Sequence, residues 1–459
     1  MINSGTEEYY RSYYGAYLNK YFRNKSAQDT RLNYIIAFII ICILVATLLI
    51  AQPLFAQVDP GGSSIASQEI SAAARCDITD KESPPGEKIN QKAPPNVVTS
   101  QEMFEKNIRA KYNLKSISFP AKGIAHIKAV KYIKQKPIKI NIVEINTNVN
   151  PNLKIKPQIA GQTLNTKTTV RNIANKENAI IAVNGGFFKP QTGVPLGALV
   201  IDGKVLTGPI YNRVGIGFFE TSEGTNFAMD KVGLDITAYT SSNTLKIDNI
   251  NQPRMSQAYT LLYTSEWGNM SPMPTKDGYN MLIQNNKITK ISANPIPIGE
   301  NEFVISSSKE KISAFAKEKD VKLIQNITGQ LKNADHIIAA GPYLVKNSEV
   351  FVDVKTQKFQ AIAGKNPRSA IGYTNEGNLV IVTVDGREQA SVGMTLNELA
   401  YLMKSLGCKD AMNFDGGSSS ALYVKNRIVN DALNKEGALV SNSLIIKQAE
   451  EYVQISSLN

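Results

Sequence analysis

Histidine, cysteine and tryptophan are scarce in this chain: its 459 residues include two histidines, three cysteines and one tryptophan. His126 and His336, with Cys42, Cys76 and Cys408, are too few and too scattered for a Cys-rich zinc module or a disulfide framework. No His-Glu-x-x-His helix occurs, and no Gly-x-x-x-x-Gly-Lys-Ser/Thr run, so a zincin site and the commonest nucleoside-triphosphate loop are both excluded. A mechanism built on imidazole is excluded as well, because neither histidine lies near a loop with catalytic potential. The net charge of +12 is spread along the chain, with acids interleaved among the bases. That pattern, together with the missing metal-ligand cluster, argues against a nucleic-acid phosphodiesterase, so no nucleic-acid partner is expected.

One long apolar run is present. Residues 34–51 read YIIAFIIICILVATLLIA without a charge, a helix of about 27 Å that matches the bilayer core. Arg11, Lys20, Arg23, Lys25 and Arg31 precede it, and the first basic residue after it is Arg75. This bias predicts a cytoplasmic N-terminus and an extracytoplasmic remainder. Cleavage after Ala56 is the alternative, but Leu54 suits a signal-peptidase site poorly, so the run is read as a single-pass anchor or signal anchor that gives the chain a membrane partner. Residues 1–33 then form a cytoplasmic tail, 34–51 the membrane helix, 52–115 a Pro/Ser-rich linker, 116–450 the folded domain and 451–459 a tail.

Short strand-like runs dominate from residue 117 onward, such as Ile138 to Ile145 (IKINIVEI), Ala179 to Val183 (AIIAV) and Leu379 to Val384 (LVIVTV). Helices are predicted near Ser100 to Tyr112, Thr169 to Lys176 and Lys309 to Glu318. The clearest follows Thr395, where Thr395-Leu396-Asn397-Glu398 is a capping box and Leu396, Leu399, Leu402, Met403 and Leu406 form an apolar stripe ended by Gly407. Glu398 is therefore read as a cap. Continuous apolar strands beside a few helices predict an α+β fold, a twisted mixed β-sheet packed by those helices.

Four loops carry chemistry. Two strand-like runs end in glycine pairs, Asn184-Gly185-Gly186 and Asn413-Phe414-Asp415-Gly416-Gly417, the second followed by Ser418, Ser419 and Ser420. Each pair reads either as a tight turn or as an amide nest for an anionic oxygen. Asn366-Pro367-Arg368-Ser369 offers a guanidinium for bidentate phosphate or carboxylate contact, or a solvated surface charge. Asp385-Gly386-Arg387 emerges from a buried strand as either a local ion pair or a site, and Arg213 either binds phosphate or pairs with a neighbouring acid. Strand-end carboxylates can exchange a proton with a glycosidic oxygen while arginine and amides neutralise phosphate, an inventory that suits a sugar joined to phosphate. A divalent ion on the acids is compatible with it and not demanded by it.

The ordered set Asn184 to Phe188 (NGGFF), Gly197 to Lys204 (GALVIDGK), Asn212 to Phe218 (NRVGIGF), Ala340 to Asn347 (AGPYLVKN), Asn366 to Tyr373 (NPRSAIGY), Asp385 to Arg387 and Asn413 to Ser420 (NFDGGSSS) resembles the phosphodiester glycosidase domain, the family of N-acetylglucosamine-1-phosphodiester α-N-acetylglucosaminidase. Ser418 stands where that family often has glycine, and Ser369 where threonine is commoner. The resemblance implies hydrolysis of a sugar-1-phosphodiester in a surface glycan or capped sugar phosphate, with the loops in one pocket, Arg368 holding phosphate and Asp415 as the catalytic carboxylate. Asp385 is the second catalytic candidate. The substrate-binding set is Asn184, Gly185, Gly186, Arg213, Arg368, Ser369, Arg387, Asn413, Gly416, Gly417, Ser418 and Ser419. A noncatalytic envelope protein that binds glycan or assists polysaccharide assembly is the rival reading.

Overall fold

The computed structural model describes residues 100–113, 116–432 and 436–449. The apolar run 34–51, the tails and most of the linker lie outside these residues, as do Cys42 and Cys76. Among the described residues no helix is long and apolar enough to cross a membrane.

The fold is mostly β, 45% strand against 13% helix, which overturns the α+β expectation. Nor is the sheet mixed in the sense expected, since the strand pairs are antiparallel apart from Asn249–Ile250 with Leu261–Thr264. The physical reason lies in what covers the strands. Leu379–Val384 is buried on both faces, and a fully apolar strand usually signals helices on both sides. Here Val380, Val382 and Val384 face the helices, whereas Leu379 and Ile381 face other sheets.

The central eight-stranded sheet has Arg368–Thr374 between Leu379–Val384 and Cys408–Asn413, and Lys136–Ile145 follows next to Leu379–Val384. Its inner face meets two five-stranded sheets. One contains Ile181–Asn184, Leu422–Val424 and Asn442–Gln448, and the other contains Val214–Thr221 and His336–Ala339. Its outer face is covered by the helices Gln101–Tyr112 and Leu396–Ser405. The second of these starts at the capping box: the Thr395 hydroxyl accepts from the Glu398 N–H while the Glu398 carboxylate accepts from the Thr395 N–H. A smaller body, built on Gly233–Tyr239, Gly278–Gln284 and Phe303–Ser308, has its own core around Ile236, Met281 and Ile305.

The helix Gln101–Tyr112 is part of the folded body. Phe104 and Ile108 lie in the outer core, and the Glu144 carboxylate, itself 2% exposed, accepts from Lys111 Nζ at 2.8 Å, Tyr112 OH at 2.7 Å and Asn378 Nδ2 at 2.8 Å. Burial and the Glu144 charge together push the Tyr112 phenol far up. Both histidines are packed: His126 Nε2 meets Asn141 Oδ1 at 3.1 Å, and His336 Nδ1 accepts the Asp202 N–H at 3.0 Å.

A fragment beginning at Ser116 should therefore be less stable than one beginning at Ser100. Exposing the sites of Phe104 and Ile108 costs roughly 3–6 kcal/mol, and Glu144 is left buried with two donors missing. Equal denaturant midpoints for the two fragments would contradict this account.

Candidate functional site

Arg368 opens one central strand, while Val384 and Asn413 close its two antiparallel neighbours. The register pairs Arg368 with Val384 and Ala370 with Asn413. Three loops, at Asn366-Pro367, Asp385-Gly386-Arg387 and Phe414 to Gly417, therefore emerge at one edge of the sheet. Asn184 closes a strand of the facing sheet and pairs with Ser443.

The Asn184 side chain, fully buried, ties these loops together. Its Oδ1 accepts from Ser369 Oγ at 2.7 Å and from the Ala421 N–H at 3.2 Å, and its Nδ2 donates to the Asp415 carbonyl at 2.6 Å. The Asp415 N–H in turn donates to the Gly185 carbonyl at 3.0 Å. Sites from both halves of the sequence thus meet within one hydrogen-bonded unit.

The glycine pair after Asn184 is occupied internally. Gly185 N–H donates to the Asn442 carbonyl at 3.0 Å and Gly186 N–H to Asn442 Oδ1 at 2.9 Å. A Cβ on Gly185 would lie 2.0 Å from Asn442 Oδ1, and one on Gly186 would lie 2.6 Å from the Ala339 carbonyl oxygen. These glycines serve close packing of two sheets. Asn442 is a residue that sequence reasoning missed. A buried Asn in the apolar strand Asn442–Gln448 was the available signal, because Asn is depleted in strands.

Asp415 is half-buried. Burial pushes its carboxyl up to about 6, opposed by the Ser419 hydroxyl, the Gly416 N–H that donates to Oδ1 at 2.9 Å, and the charge of Arg213. Arg213 is 4% exposed, donates to the Leu196 carbonyl at 3.0 Å, and lies 4.4 Å from the Phe359 ring centroid and 5.1 Å from that of Phe187. This aromatic enclosure holds a cation near an acid in a region poor in water.

Arg368 points inward. Its Nε donates to the Met394 carbonyl at 2.9 Å, and Nη2 donates to the carbonyls of Ile362, at 2.7 Å, and Gly364. Burial and then the nearby Arg387 charge bring its pKa down to about 10. Arg387 is exposed, with Nη2 donating to Asn366 Oδ1 at 2.8 Å, and it covers Gly417: a Cβ there would stand 3.0 Å from Arg387 Nη2. Gly417 has φ +63° and donates its N–H to the Pro367 carbonyl at 2.9 Å. Ser418 is half-buried beside it and Ser419 buried.

Asp385 is 4% exposed, and burial followed by the Asp431 charge pushes its carboxyl up to about 6. Oδ1 accepts from the Asp431 N–H at 3.0 Å, Asn430 also supports the carboxylate, and Asp431 pairs with Lys139 Nζ at 2.6 Å. Asn413 is fully buried and donates to the Gly341 carbonyl at 3.1 Å. Its Oδ1, with Thr383 Oγ1 and Ser420 Oγ, is buried without a hydrogen-bond partner among the described residues. Atoms in the same condition also occur at Gln252, Asn280 and Asn378, so this feature does not single out the site. No group of three His, Cys, Asp or Glu residues suited to a metal occurs among the described residues. The crevice between Gly186-Phe187 and Ala339 has a cavity volume of about 10 Å³, far below that of a small-molecule pocket.

Comparison with known proteins places this geometry. The chain is 35% identical over 120 residues to the SPbeta prophage-derived uncharacterized protein YomE of Bacillus subtilis (strain 168), an alignment covering 26% of this chain and 18% of that protein. In fold it is similar to a hypothetical protein from Synechocystis, with a TM-score of 0.64 and 23% identity over 71% of this chain and 62% of that one. A putative exported protein from Burkholderia pseudomallei K96243 follows, with a TM-score of 0.58 and 20% identity over 68% of this chain and 74% of that one. The chain thus spans less than two thirds of the length of the first two. The model of the phosphodiester glycosidase family matches residues 278–447, a stretch that holds Arg368, Asp385 and Asp415 and leaves out Asn184 and Arg213.

Proposed function

We propose that the domain hydrolyses a sugar-1-phosphodiester, in a surface glycan, a teichoic-acid-like polymer or a capped sugar phosphate, and works outside the cytoplasm from a single-pass anchor at residues 34–51. The carrying observation is Asp415: a half-buried carboxyl with a pKa near 6, at the edge where four loops meet, with a caged cation in electrostatic reach. Such an acid can exchange a proton, or attack as carboxylate, at an anomeric centre near neutral pH. Arg213, whose charge acts on Asp415, and Arg387, which lies against Gly417, suit the phosphate, while Arg368 positions the loop Ile362 to Gly364 through its carbonyls. Asp385, through Asn430 and Asp431, positions the rim. The inward course of Arg368 and the occupied amides of Gly185 and Gly186 favour the rival, a glycan-binding protein without turnover.

The full chain should release free sugar from a GlcNAc-1-phosphodiester, read by product mass, and Asp415→Asn should lower kcat/KM by about 10²–10⁴-fold. Binding of substrate without product in the parent chain supports the rival, and unchanged turnover in Asp415→Asn rejects the assignment of that acid.

Because Arg213 lowers the Asp415 pKa, Arg213→Ala should move the limb of the pH–rate profile centred near 6 to higher pH. A limb that stays in place disconnects the pair.

Asp385 yields a stability prediction. Its folded pKa of about 6 exceeds the unfolded value of about 3.9, so ionisation opposes folding: stability is greatest below about pH 4 and declines as pH rises through 6. Asp385→Asn keeps an acceptor for the Asp431 N–H and should melt higher than the parent at pH 8, with the difference vanishing by pH 4. A lower melting temperature at pH 8 would show that the charge itself is needed.

A further inference from the structure

The strand Lys136–Ile145 extends past the edge where the catalytic loops emerge. Ile140 pairs with Val384, the Asp385 N–H donates to the Lys139 carbonyl at 3.0 Å, and Val392 N–H donates to the Pro137 carbonyl at 3.2 Å. Residues 128–139 therefore form a hairpin that stands beyond the strand ends, its turn at Lys134 and Gln135 with φ +48° and +61°. From Lys122 to Val143 the sequence has six lysines, at 122, 128, 131, 134, 136 and 139, and no acid. Lys128, Lys131, Lys134 and Lys136 are exposed.

One face of this hairpin carries Lys128, Val130 and Tyr132 opposite Asn141, Lys139 and Pro137. Tyr132 is 71% exposed and Val130 57%, so an aromatic ring and an aliphatic side chain lie open on the face that carries Lys128 and Lys139, while Lys131 and Lys136 alternate to the opposite face. The same face leads directly to the site: Lys139 pairs with Asp431, whose N–H donates to Asp385. Arg427 adds a further charge within electrostatic range of His126 at the start of the hairpin's first strand. The acids that face this surface are Asp431, already paired with Lys139, Asp385 and Glu388.

We propose that this hairpin is a second binding surface for a polyanionic glycan, one with repeated phosphodiester groups, and that the substrate is the polymer rather than a single capped sugar phosphate. The assignment rests on the hydrolase reading above and deepens it. Lysines spaced along both strands match a repeating charge, and Tyr132 offers a face on which a sugar ring can stack. The continuity with Asp385 distinguishes the polymer from a membrane surface, which would need no path into the site.

The test uses the full chain and a variant with Lys128, Lys131, Lys134 and Lys136 changed to Ser, probed with a poly(N-acetylglucosamine 1-phosphate) polymer and with a monomeric GlcNAc-1-phosphodiester. The expected result is polymer binding weakened about tenfold or more, with a shallower salt dependence, while monomer turnover is unchanged. The corresponding Lys→Arg variant should bind as the parent does, and Tyr132→Ala should weaken polymer binding without altering the salt slope. Equal polymer binding by parent and Ser variant overturns the proposal. So does a loss, specific to the Ser variant, of binding to anionic vesicles or to DNA that exceeds the loss for the polymer. Failure of the parent to cleave both the polymer and the monomer counts against the hydrolase reading instead, and the binding comparison stands apart from it.

Discussion

Everything at this site depends on one buried carboxamide. Asn184 accepts from a hydroxyl of one sheet and an amide of the other, and donates to the backbone of the residue that carries the acid. An apolar substitute would leave a hydroxyl, an N–H and a carbonyl unpaired in a region where water cannot replace them, at about 1–3 kcal/mol for each group. The cost of such a failure explains why polar residues can gather at strand ends without loosening the fold. Each satisfied partner in the network fixes the loop to which it belongs.

The charges follow a related logic. Arg368, deepest of the cations, is neutralised by carbonyl dipoles and by Glu398 at longer range, so it stiffens the loops that it touches. Arg213 is enclosed by rings and acts through its field on Asp415. Arg387, at the surface, is positioned by Asn366 and shields Gly417. Depth thus separates three arginines that look equivalent in a sequence into a brace, a field source and an accessible cation.

Local signals were legible from residues alone. The capping box at Thr395 and the strand LVIVTV both depend on neighbours within a few positions, and each formed where its chemistry pointed. Fold class was not legible, because an apolar strand face does not record whether a helix or another sheet covers it. The orientation of Arg368 was equally hidden: its partners at Ile362, Gly364 and Met394 are set by how two loops return to the strand. Asn442 shows the same limit, since its role exists only once its strand lies beside Ile181–Asn184.

The clasp between Gln101–Tyr112 and Glu144 has a mechanical consequence. Glu144 lies on Lys136–Ile145, the strand that borders the candidate site and continues into the lysine hairpin. A pull applied to the polypeptide ahead of Ser100 is therefore met first by the bond from the Gly123 N–H to Gln101 Oε1 and by the packing of Phe104 and Ile108, and only then by Lys111 and Tyr112 at Glu144, so the load is shared among several contacts before it reaches the strand beside the candidate site.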